Sequence, residues 1–256
     1  MKPKPYTIIY EDDSIIAVNK TSGIAITHER WDEDAPRLDF LLKQELAFRG
    51  DKETELLNIH RIDKDTSGLV VFAKNREAHR HLSIAFEKRQ VEKTYIAVVH
   101  GRPFWTDGIT SCEMPLVPDG NKKHLTIIDK YRGKPSQTGF TLLFSAGNYS
   151  VVEAFPQTGR THQIRVHLSA LGYPIVCDPL YGKHARNSTE KGVYLSSFKR
   201  DWRGNEEERP LLDRLGLHAS RLIFKYSKDN GDTLSLEAPL TKDMAALIKQ
   251  MKKYSH

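Results

Sequence analysis

Strand-like runs outnumber helical ones in this chain, and most follow one another with no helix between. Residues 6–20 hold two β-rich runs around the polar turn Glu-Asp-Asp-Ser, the pattern of a hairpin. The run LVVFAK at 69–74 is apolar and β-branched, which suits a buried strand, and TYIAVVHG at 94–101 reads as another strand ended by Gly101. FTLLFSAGNYSVVEAFPQTG is two strands around Ala-Gly-Asn, and RLIFKYS with TLSLEAPL forms a last strand pair. Such an order predicts an α+β fold with a mixed, largely antiparallel sheet.

Four segments carry helical spacing instead. Residues 36–48 place Leu38, Leu41, Leu42 and Leu46 on one side, with Pro36 at the start. Residues 76–88 put Ala78, Leu82, Ala85 and Phe86 on one face and Arg76, Arg80 and Lys88 largely on the other. In 161–171, Ile164, Leu168 and Leu171 line one side, Thr161 is the expected N-cap, and Gly172 stands just past the end. The last, about 242–253, is amphipathic through Met244, Leu247, Ile248 and Met251. Residues 105–136 and 183–216 read as irregular, the first with a basic cluster at 121–124. No repeat, low-complexity tract or linker interrupts the chain, so one domain over residues 1–256 is expected, with a core from about 6 to 240.

Composition narrows the class. The chain has 256 residues, 39% of them apolar and 28% charged, enough to bury a core without covalent staples. Two cysteines, Cys112 and Cys177, exclude a disulfide framework and fit a reducing compartment. The N-terminus lacks a secretory apolar stretch, and no apolar run spans a bilayer, so a soluble cytoplasmic protein is expected. A net charge of +6 leans toward a polyanionic partner without establishing one.

Three segments carry residues able to do chemistry. In HRIDKDTSGLVVFAK, residues 60–74, Asp63 precedes Thr66-Ser67-Gly68. Gly68 permits a close backbone approach, and Thr66 or Ser67 can shape the loop through local hydrogen bonds. Taken alone, this is an aspartate in a turn. In TGRTHQIRVHLSALGYPIVCDPLYG, residues 158–182, Arg160, His162, Arg165 and His167 sit among apolar neighbours. An Arg placed there is expected to be partly buried, and a buried guanidinium needs a carboxylate; Asp63 is one candidate. In EKTYIAVVHG, Tyr95 on its own is a half-buried strand tyrosine. His162 and His167 are five apart, off the spacing of a helical zinc pair, so no metal is expected. No nucleophile elbow, Walker loop or dinucleotide fingerprint occurs, which argues against a serine hydrolase and a nucleotide cofactor.

Together these segments resemble the RluA-type family of pseudouridine synthases. HRIDKDTSGLVVFAK resembles the family's catalytic-aspartate motif, EKTYIAVVHG its tyrosine strand, and TGRTHQIRVHLSALGYPIVCDPLYG its arginine motif. YEDDSIIAVNKTSG resembles the N-terminal segment, with Thr21 where the family usually has Pro, a change expected to loosen one turn. LHASRLIF and LEAPL resemble the closing strands. The likeness runs from about residue 6 to 240, so no N-terminal S4-type RNA-binding module is expected, and the catalytic domain's own basic surface would grip RNA.

The resemblance implies a pseudouridine-synthase-like fold with a central RNA-binding cleft. It implies an isomerase, an intramolecular transferase that converts uridine in ribosomal or transfer RNA to pseudouridine without metal or cofactor. Asp63 would be the nucleophile or catalytic carboxylate, Arg165 its cationic partner, and Tyr95 would lie against the uracil. Ile164 would line the base pocket, and Arg61 would fill the gap left by a flipped base. Arg160, His162, Lys93 and Arg89 are further RNA-contact candidates, and Lys74, Arg76, Arg80, Lys88, Lys122 and Lys123 candidate phosphate contacts. His60 is expected to be structural. The protein is expected to act as a monomer. A non-catalytic RNA-binding protein on the same fold is the alternative.

Overall fold

The computed structural model describes residues 4–27, 36–105, 108–120, 125–182, 192–198, 207–226 and 232–255. The chain forms two compact units: residues 1–93 with 218–239, and residues 94–217 with 240–256. The chain passes between them within a strand at 93/94 and again at 217/218, which is why composition shows no linker there.

In the first unit, β1 (Tyr6–Glu11) and β2 (Ile15–Lys20) form the expected hairpin, and β2 runs antiparallel to β4 (Ser67–Ala73). The other edge of β4 is divided. The short β3 (Leu57–Asn58) pairs with its last residues, and β11 (Leu217–Lys225) pairs in parallel with Ser67 and Gly68. β12 (Thr233–Glu237) closes antiparallel on β11.

Side chains alternate across this sheet. Ile15, Ala17, Leu69 and Val71 form one cluster with Leu82 and Ala85 of α2 (Arg76–Glu87), while Ile16, Val18, Val70 and Phe72 are equally buried on the other side of their strands. β4 is therefore apolar at nearly every position and reads as a continuous run rather than an alternating one. Asn75 caps α2 by accepting from the Ala78 N–H at 2.9 Å. α1 (Leu38–Phe48) buries Leu38, Leu42 and Leu46; its N-cap is Arg37, so Pro36 stands just outside the helix.

In the second unit, the strand order is β5 (Glu92–His100), β10 (Tyr149–Pro156), β9 (Thr138–Ala146) and β6 (Thr110–Cys112), antiparallel throughout. Successive residues again face opposite ways. Ala97, Val99, Val152 and Ala154 pack with Ile164 and Leu168 of α3 (Gln163–Ala170). Val98 and Val151 pack with Met244, Leu247, Ile248 and Met251 of α4 (Lys242–Lys253). The expected amphipathic face of the last helix is thus the face it buries. Residues 105–136 are more ordered than their polarity suggests: β7 (Leu116–Pro118) and β8 (Thr126–Ile128) make an antiparallel ribbon. Most of 183–210 lies outside the described residues. The expected α+β class holds: among the described residues there are four α-helices, and within each unit the strand pairs are antiparallel except β4–β11, with an isolated parallel bridge between Ala25 and Arg37.

Candidate active site

Asp63 sits on a turn, with its backbone carbonyl accepting from the Thr66 N–H at 3.1 Å, and is half-buried. Groups outside the segment shape that turn. Lys20, fully buried, donates from Nζ to the Lys64 carbonyl at 2.8 Å and to the Thr21 carbonyl at 3.0 Å. The Gly23 N–H also donates to the Lys64 carbonyl, and the Ser22 hydroxyl donates to the Asp65 carbonyl at 2.6 Å. Burying an ammonium is tolerable only with such acceptors close around it. Thr21 tightens its own turn instead of loosening it. Its N–H and hydroxyl both donate to the Pro5 carbonyl, at 2.9 and 3.0 Å, the first a bond that proline cannot make.

Of the two hydroxyls expected to shape the loop, only that of Ser67 has a hydrogen-bond partner among the described residues. The Thr66 hydroxyl oxygen is buried with no hydrogen-bond partner, and Ser67 Oγ lies 3.0 Å from Nδ1 of His218. The other ring nitrogen of His218 faces the Ala238 carbonyl at 3.2 Å, so it carries the proton and Nδ1 accepts from Ser67. Gly68 follows at φ +114°, and a Cβ there would stand 2.2 Å from the Ala219 carbonyl oxygen. Glycine is required for the backbones of β4 and β11 to meet.

His60 is structural, as expected. Its Nε2 accepts from the Val71 N–H at 3.0 Å, and its ring stacks on Phe86 at 4.7 Å. Burial, with the Lys93 ammonium adding to it, pushes its pKa down to about 3. Arg61 is exposed. Lys93 is half-buried, and burial, helped by Arg89, lowers its pKa to about 8. Arg89 is exposed, in a left-handed backbone conformation at φ 59°. Arg80 and Lys88 are also exposed, but Arg76 is bound side-on to Glu55 and Lys74 to Glu11. Lys122 and Lys123 lie outside the described residues.

In the second unit, Tyr95 faces Ala154 across the β5–β10 ladder and packs, half-buried, on the cluster that holds Ile164. α3 begins differently from expectation. Its N-cap is His162, left-handed at φ 54°, and Thr161 is exposed. No side chain caps the helix; the Gln163 side chain instead ties down the turn that leads into it. Its Oε1 accepts from the Arg160 N–H at 3.0 Å and from the Thr158 hydroxyl at 2.7 Å. Its Nε2 donates to the Gln137 carbonyl and to Thr138 Oγ1, both at 2.9 Å. The Thr138 hydroxyl in turn reaches Nδ1 of His167, whose Nε2 donates to the Met114 carbonyl at 3.0 Å. His167 is therefore neutral, its pKa lowered by burial, and its ring nitrogens belong to this chain of hydrogen bonds. Arg160 reaches the Pro135 carbonyl from Nε and Nη2 at 3.4 Å.

Arg165 is 1% exposed. Its Nε and Nη2 donate to the two oxygens of Asp178 at 2.9 and 2.8 Å, and its guanidinium lies 5.2 Å from the centre of the Tyr181 ring. The expectation of burial is met, and Asp178 supplies the carboxylate that burial demands. Asp178 lies inside the quoted motif, where an acid among Ile175, Val176, Pro179 and Leu180 was the available signal.

The model of the family described as RNA pseudouridylate synthase matches residues 14–170, across the 93/94 boundary. The chain belongs to this family. Its relatives include the ribosomal large subunit pseudouridine synthase C of Buchnera aphidicola subsp. Acyrthosiphon pisum, 35% identical over 92% of this chain and 68% of the relative. Synthase D of Borreliella burgdorferi is 35% identical over 76% of this chain and 60% of the relative. The chain thus spans roughly two thirds of the length of these proteins. Among solved structures, human RNA pseudouridylate synthase domain containing 4 superposes with a TM-score of 0.72 at 22% identity, covering 96% of this chain and 92% of that one. It shares the fold. No helix of the described residues is long and apolar enough to cross a membrane.

This RNA pseudouridine synthase carries supports that motif reading passed over: Lys20 behind the Asp63 turn, His218 under Ser67, Gln163 at the start of α3 and Asp178 on Arg165. Each is polar, and each supporting side chain is nine-tenths or more buried. Only that combination sets them apart from surface residues of the same type.

Proposed function

We propose that this RNA pseudouridine synthase isomerises uridine in the RNA of the large ribosomal subunit, in the cytoplasm, with Asp63 as its catalytic carboxylate. The observation that carries the assignment is the turn itself. Asp63 is a half-buried acid at the head of a loop whose following carbonyls are fixed by buried Lys20 and by Ser22. Such anchoring holds a charged group in place for chemistry. The relatives' names favour ribosomal over transfer RNA.

In the reaction the N1–C1′ bond breaks, the uracil turns, and a C5–C1′ bond forms. On a covalent route, an Asp63 oxygen attacks C1′ while N1 leaves with the bonding pair; C5 then attacks C1′ and displaces the carboxylate. On a glycal route, Asp63 removes the C2′ proton as uracil departs, and that proton returns when C5 adds. Both routes end with loss of the C5 proton and protonation of N1. Arg165 supplies a fixed positive charge to the chemistry, Tyr95 lies against the uracil and its phenolic oxygen assists removal of the C5 proton, and Ile164 lines the base pocket. The target base is everted, and Arg61 enters the gap it leaves. Arg89, Lys93, Arg160 and His162 contact the RNA around it.

The test is incubation with unmodified large-subunit RNA, followed by carbodiimide mapping of pseudouridine. Asp63→Asn should form no pseudouridine while binding the RNA as wild type does. A variant with full turnover removes Asp63 from the chemistry, and a wild-type protein that binds RNA without forming pseudouridine favours a binding protein on this fold.

A further inference from the structure

The arginine that the proposed reaction relies on is held by a carboxylate that takes no part in it. Asp178 grips Arg165 along one edge, through Nε at 2.9 Å and Nη2 at 2.8 Å, and the two side chains are 0% and 1% exposed. Asp178 is itself fixed. Its Oδ1 also accepts from the backbone N–H groups of Leu180 at 2.9 Å and Tyr181 at 3.1 Å. The turn it forms presents the Tyr181 ring to the guanidinium. The Tyr181 hydroxyl accepts from the Thr126 N–H at 2.9 Å and lies 2.7 Å from His162 Nδ1. One carboxylate and one aromatic face thus constrain the guanidinium from two directions.

We propose that Asp178, backed by Tyr181, is a positioning residue. It clamps the Nε/Nη2 edge of Arg165 and so fixes the guanidinium in a single orientation before the reaction begins. The inference rests on the role given to Arg165 above. An arginine side chain has several rotatable bonds, and ordering it during the reaction would raise the barrier; a permanent clamp removes that penalty beforehand. A side-on pair consumes two of five donors, and the fork geometry fixes where the others point.

The experiment compares wild type, Asp178→Asn and Asp178→Glu on large-subunit RNA, measuring kcat, KM and RNA Kd. Asp178→Asn keeps the shape but lacks the anion, so kcat should fall about 10- to 1000-fold with KM and Kd within about twofold. Asp178→Glu should recover part of that loss. In wild type, the Arg165 Nε proton should exchange with water far more slowly than those of exposed arginines, an NMR measurement that needs no variant to fold. Asp178→Asn with unchanged kcat, or rapid exchange at Arg165 Nε, overturns the inference. If instead wild type itself forms no pseudouridine while Arg165 Nε is protected, the clamp stands and the catalytic reading fails.

Discussion

The hydroxyl of Ser67 donates to Nδ1 of His218, 3.0 Å away and 151 residues along the chain. This bond, with the parallel pairing of His218 to Ser67 and Ala219 to Gly68, joins the loop after Asp63 to the last strand pair. Two motifs with no evident relation in sequence are one structural feature: the Thr-Ser-Gly stretch lies on the His-Ala-Ser stretch. The position of the proposed catalytic carboxylate depends on both.

Gly68→Ala tests that dependence. The added Cβ meets the Ala219 carbonyl oxygen at 2.2 Å, and φ +114° is unfavourable for alanine. Strain and overlap together should cost about 2–5 kcal/mol. The urea midpoint should drop accordingly, whereas Gly23→Ala, at φ +87° with open space around it, should show only the backbone component. Equal losses in the two variants would show that close packing on Ala219 is unimportant.

His60 makes stability depend on pH. Its folded pKa of about 3 lies below the ordinary 6.5, so between those values the unfolded chain binds more protons than the folded one. Stability is fully present above about pH 6.5 and is lost as pH falls toward 3, by about 2 kcal/mol on reaching pH 5. The change in urea midpoint between pH 7 and 5 should be smaller in His60→Gln than in wild type. Parallel profiles would mean that His60 takes up a proton readily in the folded protein.

Lys93 should give RNA binding an alkaline limb. With a pKa lowered to about 8, the free protein loses this cation as pH rises through that value. Affinity should weaken between about pH 7 and 9 in wild type and change less in Lys93→Arg, because arginine stays charged. Identical pH dependence in the two proteins would remove Lys93 from the RNA contacts.

Tyr95→Phe separates the ring from its hydroxyl. RNA affinity should persist, since the ring and its packing on the Ile164 cluster remain. Release of tritium from RNA carrying 5-tritiated uridine should slow by about 100-fold or more if the phenolic oxygen assists removal of the C5 proton. Unchanged release would leave the ring with a stacking role alone.

Salt provides a further check on the net charge of +6. The logarithm of RNA affinity should fall linearly with that of salt concentration, and replacing Arg89 or Arg160 by Gln should reduce the slope by about one contact each. Arg76→Gln should leave it unchanged, because that side chain is committed to Glu55. A slope insensitive to Arg89 and Arg160 would place the phosphate contacts elsewhere.

Local chemistry was sufficient for much of this protein. The hairpin of residues 6–20, the apolar stripe of α4 and the glycine past the end of α3 each depend on neighbours within a few residues, and all three appear where the pattern put them. The family resemblance of the motifs, rather than local chemistry, is what makes Asp63, Tyr95 and Arg165 the candidate site residues. Capping was already less legible: Thr161 had the right chemistry, yet no side chain caps α3, and Gln163 instead ties the preceding turn through Arg160 and Thr158.

What tertiary structure alone decided was which polar groups meet across long stretches of chain. Lys20 on the Lys64 carbonyl, Ser67 on His218 and Thr138 on His167 leave no periodic trace. Asp178 is near Arg165 in sequence, yet whether an acid thirteen residues on faces a guanidinium or water is set by how the intervening turn packs. A buried polar atom must find a partner, but the sequence states only the need; folding selects the partner, because only the assembled core brings both atoms within hydrogen-bonding distance.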